Sequence, residues 1–276
     1  MPPREADPHP LPPNITLTTT PGPSITDYTL QSVLTLYNSH YGRYGPHAAD
    51  ANPFLVPGTH IQLSLCRLRH LNVSDVTAVT LAEAYRTVGT REGDEEKKLV
   101  GCAFGTRWCY ENEGKKETVL WITLLVVHRH FRSLGIATHL IRALHSPHDT
   151  FTGLASWSPF GTAALYRAIT YRPISHVDLN ATKTHAKGIL KGCELDYLRD
   201  APLQGSLFEE DEEERRKVGR ERVVSCIQTK NYVDLEDVKD GVAKAERKGW
   251  PLGELPEGGE FLLIVETPRG QEEEEK

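Results

Sequence analysis

Residues that staple a chain together or carry it across a bilayer are scarce in this sequence. Five cysteines occur among 276 residues, Cys66, Cys102, Cys109, Cys193 and Cys226, and no two form a C-x-x-C pair. That spacing argues against a zinc ribbon and against a disulfide framework, and no metal is expected. Thiols scattered in this way suit a reducing compartment, so a cytoplasmic or nuclear location is expected. No apolar run reaches the roughly 20 residues that cross a bilayer. The opening stretch MPPREADPHPLPPN has no apolar signal core. Positive charge is also short. The formal net charge is −6, which leaves out the basic footprint of a nucleic-acid binder. Neither a membrane nor a nucleic acid is therefore expected as a partner. What remains is a globular balance, 38% hydrophobic and 25% charged, in a chain long enough to bury a full core.

Residues 1–14 read as a flexible tail, because prolines and charges leave little to bury. Residues 267–276, ending in QEEEEK, read as an acidic disordered tail. The span 15–266 is expected to form one domain. Ile15–Thr20 is β-branched and reads as a strand. Ile25–Tyr41 reads as a helix, with Leu30, Val33, Leu34 and Tyr37 on one stripe and Thr26 and Asp27 at its start. Ser64–Leu71 suits a short helix. Part of Thr77–Val88 reads as a strand, though its alanines and glutamate also suit a helix. Leu99–Tyr110 reads as a strand. Thr118–Val127, TVLWITLLVV, is almost wholly apolar, as a strand covered on both faces would be. From Gly135 to Leu144 the period changes to that of a helix. A second strand and helix follow at Phe151–Trp157 and Thr162–Ile169, and Ile174–Leu179 reads as a further strand. The stretch from about 180 to 259 is long and less orderly. It holds the charge block EEDEEERRK within Asp200–Val223 and a helical pattern at Asp234–Lys248. Glu260–Glu266 reads as the last strand.

The informative stretch is LLVVHRHFRSLGIATHLI, Leu124 to Ile141. An apolar strand runs into a turn and then a helix, with Arg132, Gly135 and Ala137 spaced R-x-x-G-x-A at the junction. The first turn of a helix carries N–H groups with no intrahelical partner, and the macrodipole adds partial positive charge. A diphosphate can accept those bonds where the backbone is accessible. Gly135 permits close approach, Ala137 is small, and Ser133 and Thr138 add hydroxyls. His128, Arg129 and His130 form a cluster read as a positive rim for phosphates.

VHRHFRSLGIATHLI resembles motif A of the GNAT acetyltransferase superfamily, Q/R-x-x-G-x-G/A after an apolar strand. SWSPFGTAALYRAITYRPI, Ser156 to Ile174, resembles the family's motif B. The resemblance covers about Leu99 to Ile174. It implies the α/β GNAT fold: a mixed, twisted sheet of about six or seven strands with helices on both faces. The central parallel strands, Thr118–Val127 and Phe151–Trp157, would splay apart to admit pantetheine, and 180–259 would be an insertion before the last strand. It implies acetyl-CoA as cosubstrate. Leu125, Val126 and Val127 would hold the acetyl and pantetheine segment. Arg132, Ser133, Leu134, Gly135, Ile136, Ala137 and Thr138 would form the phosphate cradle, with Ser158 where the family often has asparagine. Tyr166 would be the general acid that protonates the departing thiolate. The sequence shows no evident base. Glu83, Glu111 and Glu117 are candidates, Glu117 at the edge of the motif A strand. The expected activity is acetylation of a primary amine, on a small molecule or a protein. The alternative is a non-catalytic acyl-CoA-binding or interaction module of the same fold.

Overall fold

Local sequence chemistry sets most of the element ends. The computed structural model describes residues 10–89, 95–209, 223–247 and 249–268. Residues 1–9 of the tail expected at 1–14, residues 269–276 of the acidic tail expected at 267–276, and most of the charge block, 210–222, lie outside them. The elements are β1 (Ile15–Pro21), α1 (Asp27–His40), α2 (Ala48–Ala51), α3 (Leu65–Asn72), β2 (Val79–Gly89), β3 (Glu95–Asn112), β4 (Lys115–Val127), α4 (Ile136–Leu144), β5 (Phe151–Ser156), α5 (Pro159–Thr170), α6 (Asn180–Lys191), α7 (Asp196–Arg199), β6 (Leu203–Gln204), β7 (Cys226–Ile227), α8 (Glu236–Glu246) and β8 (Glu260–Glu266). Thr26 caps α1 by accepting from the Thr29 N–H, and Ser64 caps α3 by accepting from the Arg67 N–H. Pro159 opens α5, where its missing N–H costs nothing.

One eight-stranded sheet runs in the order β1-β2-β3-β4-β5-β8-β7-β6. Only β4 and β5 pair in parallel; the other neighbours are antiparallel. Helices cover both faces. On one face α4 and α5 place Ile136, Leu140, Ile141 and Leu165 against Ala82, Ala103, Leu120, Ile122, Leu154 and Leu263. On the other, α1 and α3 cover Leu81, Phe104, Leu124 and Val126, and α6 covers Trp121, Leu262 and Ile264. Each fully buried Leu or Ile stabilises the fold by roughly 1.5–3 kcal/mol. Among the described residues no helix is long and apolar enough to cross a membrane.

Two expectations need correction. The sheet has eight strands, not six or seven, because β6 and β7 join its edge with two residues each. Two residues are too few to show alternation in a sequence. Ile174–Leu179 is not a strand. Its backbone bonds close locally, from the N–H of His176 to Pro173 O and of Val177 to Ile174 O, in a 3-10 turn. The ambiguous Thr77–Val88 is strand β2, held on both sides by β1 and β3. Pairing on both edges outweighs the helical preference of its alanines.

The connection from α4 to β5 is fixed by charge. Asp149 is 1% exposed and takes both arms of Arg107, at 2.8 and 3.0 Å, and the Ser146 N–H at 2.7 Å. Removing the carboxylate leaves the guanidinium partly buried and unpaired. Asp149→Ala is expected to lower unfolding stability by about 3 kcal/mol, read as a lower urea midpoint at unchanged slope.

Candidate active site

The parallel pairing of β4 with β5 begins at Val119 and Phe151 and ends at Ile122 and Leu154. β4 continues to Val127 and β5 to Ser156 without pairing to each other. The cause lies in the β3–β4 register. Leu124 faces Phe104 and Ile122 faces Gly105, so Thr123 is an extra residue with no partner. A bulge of this kind bends the strand and increases its twist. The Thr123 hydroxyl donates to Asn72 Oδ1 at 2.8 Å, which ties the bulge to α3. Beyond it β4 has a neighbour on one side only. Alternate N–H and C=O groups of Thr123–Val127 therefore face a gap.

At the end of that strand the chain turns. Arg132 Nε donates to Val127 O at 3.2 Å, and its guanidinium also donates to His40 O, joining the turn to the end of α1. Ser133 and Gly135 both take left-handed backbone, with φ of 64° and 78°. Glycine adopts this freely, whereas for serine it costs about 1–2 kcal/mol. Gly135 caps α4 with no side-chain bond, and His139 N, bonded to Gly135 O at 3.1 Å, is the first amide to find a partner. Among the described residues nothing accepts from the N–H groups of Ser133 through Thr138. Ser133 and Leu134 are exposed and Gly135 is half-buried, so solvent reaches the turn. Arg129 and Arg132 flank it. His40 and His128 lie ring on ring, 3.9 Å between centroids. Burial and the neighbouring histidine and arginine charges push His40 down to about 4, and burial likewise lowers His128. The lowered values disfavour the charged form of both rings, and Arg129 and Arg132 put fixed positive charge beside the turn. Among the described residues no three His, Cys, Asp or Glu side chains are placed to hold a metal ion.

A cavity of about 260 Å³ opens at the gap. Leu124 and Leu125 of β4 and Leu154, Ala155 and Ser156 of β5 form one wall. Tyr37 of α1 and Tyr41 at its C-cap form another, their rings stacked at 4.4 Å. Arg67, Leu71 and Asn72 of α3 contribute a third. Tyr197, Thr229, Lys230 and Asn231, from the long stretch before the last strand, close the rest. Glu260, the first residue of β8, is 6% exposed and lines the same cavity. It accepts from Thr229 Oγ1 at 2.6 Å and Asn231 Nδ2 at 3.4 Å, and from the Trp157 N–H. Asn231 Nδ2 also donates to the Tyr41 hydroxyl at 2.9 Å. Burial raises the Glu260 carboxyl above the ordinary carboxylate value, outweighing the bonds that lower it. Burial likewise keeps the phenols of Tyr37, Tyr41 and Tyr197 protonated.

The residues singled out in the sequence divide into two groups. Leu125 reaches the cavity, Val126 packs toward α1, Val127 packs toward α4, and Arg132 through Thr138 form the open turn. Ser158 sits at the N-cap of α5, and its N–H donates to Ser156 Oγ at 3.1 Å. The others lie elsewhere. The hydroxyl of Tyr166, 6% exposed, donates to His176 O at 2.7 Å, and the residue does not line the cavity. Glu117 accepts from Thr150 Oγ1 at 2.7 Å near the start of β4. At ~3.3 Å per residue it stands about 20 Å along the strand from Thr123, where the gap opens, too far to serve it. Glu111 is exposed on β3. Glu83 is buried on β2, bonded to the Tyr85 hydroxyl at 2.7 Å, outside the cavity lining. Sequence reasoning missed Glu260. Its one signal was a carboxylate opening the otherwise apolar strand EFLLIVE.

Residues 68–145 match the family model described as the acetyltransferase (GNAT) family, a span from within α3 to the end of α4 that holds both the open strand edge and the turn. No curated protein matches the chain. Three solved structures are similar to it in part. An acetyltransferase of Trypanosoma brucei is 17% identical, with 57% of this chain and 92% of that one covered and a TM-score of 0.34. N-myristoyltransferase of Saccharomyces cerevisiae with bound myristoyl-CoA is 15% identical, with 53% and 32% covered and a TM-score of 0.36. An aminoglycoside acetyltransferase from an uncultured soil metagenomic sample, in complex with sisomicin, is 14% identical, with 48% and 67% covered and a TM-score of 0.29. The chain thus spans about a third of the length of the myristoyltransferase.

The left-handed backbone at Gly135 and the open approach to it make one substitution informative. Gly135→Ala is expected to cost about 1–2 kcal/mol of stability and to weaken CoA binding at least tenfold, measured by thermal unfolding and titration calorimetry. CoA affinity equal to that of the native chain would separate the turn from the cofactor.

Proposed function

We propose that this chain, whose residues 68–145 are of the GNAT acetyltransferase type, moves an acetyl group from acetyl-CoA to a primary amine by direct transfer. One observation carries the reading. The unpaired edge of β4, the donors of Ser133–Thr138 and the cavity holding Glu260 meet along a single strand. The free donors and arginines of the turn fit a diphosphate. The gap beyond Ile122 fits an extended pantetheine arm bonded to strand main chain. In this reading the thioester lies beside Leu124 and Leu125, at the mouth of the cavity, which the bend at the bulge supports.

Acetyl-CoA supplies the activated acyl group, and the chain does the rest. An amine arrives as an ammonium with a pKa of about 10.4, and Glu260 is the group proposed to take its proton. A main-chain N–H of the β4 edge stabilises negative charge on the carbonyl oxygen. Holding amine and thioester side by side removes most of the entropic barrier. Tyr166, the acid implied by the family resemblance, has its proton engaged by His176 O, and its assignment rests on a test.

Glu260 acts as a base only when ionised, so kcat/KM is expected to rise with pH through a value above that of an ordinary carboxylate. Glu260→Gln is expected to lower kcat by about 10²-fold or more and to remove that limb. The raised pKa also sets a sign for stability. The neutral carboxyl stabilises the fold fully below the ordinary carboxylate value, and that contribution is lost as pH rises through the raised one. Gln keeps the neutral form, so the variant is expected to melt higher than the native chain at pH 7. The difference should shrink toward about pH 4. A variant that is less stable at pH 7 contradicts the placement of the carboxylate.

Tyr166→Phe is expected to cost about 1 kcal/mol of stability through the lost bond to His176 O and to keep kcat within about threefold. A fall of 10²-fold would return Tyr166 to the acid role. Acetyl-CoA binding without turnover across a broad amine panel would identify a non-catalytic acyl-CoA module instead.

A further inference from the structure

The cavity has an uneven charge pattern. Its one carboxylate, Glu260, lies deep, and two cations, Arg67 and Lys230, stand at its exposed edge. Neither cation forms an ion pair among the described residues. A surface lysine or arginine without a partner is ordinary, but Lys230 is not placed casually. It has left-handed backbone, φ 61°, unusual for a residue with a side chain. The strain is held by its neighbours. Thr229 and Asn231 both bond Glu260, at 2.6 and 3.4 Å, and the Asn231 N–H bonds Gly258 O at 3.1 Å. The segment that clamps the buried carboxylate therefore also presents Lys230 to the cavity edge. Strain kept by surrounding bonds clusters at ligand sites. Arg67 reaches the cavity from α3, one turn before Leu71 and Asn72, which line it as well.

An ammonium directed at Glu260 would meet the carboxylate and the stacked faces of Tyr37 and Tyr41, which favour a cation. A second cation on the same molecule would face Arg67 and Lys230 and be repelled. An anion there would be attracted, and a planar carboxylate suits the guanidinium fork. The volume, about 260 Å³, falls just below that of ordinary ligand pockets, which run roughly 300–1,000 Å³, and suits a compact acceptor.

We propose that the acceptor is a small amine carrying an anionic group near its nitrogen, of the amino-acid type, with the amine at Glu260 and the anion at Arg67 and Lys230. This rests on the cavity being the acceptor site of an acetyl-CoA-dependent enzyme. The chemistry balances without a further reactant: the ammonium gives one proton to Glu260, the amine nitrogen bonds the acetyl carbon, the carbon–sulfur bond breaks with its electron pair on sulfur, and the second nitrogen proton passes to that sulfur, so CoA leaves as its thiol.

The test uses the full chain, saturating acetyl-CoA and matched acceptors that differ only in the anion: leucine against leucinamide, and phenylalanine against phenylalaninamide. The free acid is expected to show a kcat/KM at least tenfold above its amide. In Arg67→Gln/Lys230→Gln that ratio is expected to fall toward one, mainly through a higher KM for the acid. Equal or better use of the amides, or a ratio unchanged in the double variant, overturns the proposal. Acetyl-CoA binding by calorimetry with turnover of neither partner overturns it too, while leaving the cofactor site standing. Loss of acetyl-CoA binding in the native chain overturns the reading of the turn, and the acceptor proposal with it.

Discussion

The parting of β4 from β5 after Ile122 is the feature on which the rest of the site depends. A parallel pair buried between helices would ordinarily stay bonded along its length, since unpaired backbone inside a protein is costly. Here the extra residue Thr123 breaks the register against β3, and its hydroxyl is anchored to Asn72. The strand bends before its pairing with β5 can continue. The sheet gives up a few ladder bonds and gains an accessible strand edge in its centre. The turn at the end of β4 and the cavity beside the gap are both positioned by that bend.

The same region holds several features that work against stability. Ser133 and Lys230 keep left-handed backbone. The N–H groups of Ser133 through Thr138 lack acceptors among the described residues. Glu260 is buried as a carboxyl group with three donors and, among the described residues, no paired cation. Each is tolerated because the surroundings are firm. The leucines and isoleucines of α4 lock the helix to the sheet, and Asp149 fixes the connection beyond it. Rigid packing behind an underbonded surface is what a binding site for a charged, extended ligand requires.

What the sequence revealed follows from range. The apolar run at Thr118–Val127 and the R-x-x-G-x-A spacing after it are local, so the central strand, the turn and α4 could be read directly. Thr26 announced its helix for the same reason. The cavity could not be read this way. Asn231 and Tyr41, which share a hydrogen bond, are 190 residues apart. Glu260 looks like the polar start of an edge strand until β7 and α1 cover it. Glu117 was attractive because it stands next to the right strand, but proximity in sequence put it at the wrong end. Ile174–Leu179 has a strand's composition, yet its backbone is satisfied by a local turn and by the Tyr166 hydroxyl.

The underbonded turn can be observed without any assay of turnover. Amide hydrogen exchange of the peptide spanning Ser133 to Thr138, with and without CoA, reports on those donors alone. If they hold the diphosphate, their exchange slows on CoA addition while the distant β6–β7 edge is unaffected. Unchanged exchange at these amides, at CoA concentrations that saturate binding, would show that the nucleotide sits elsewhere.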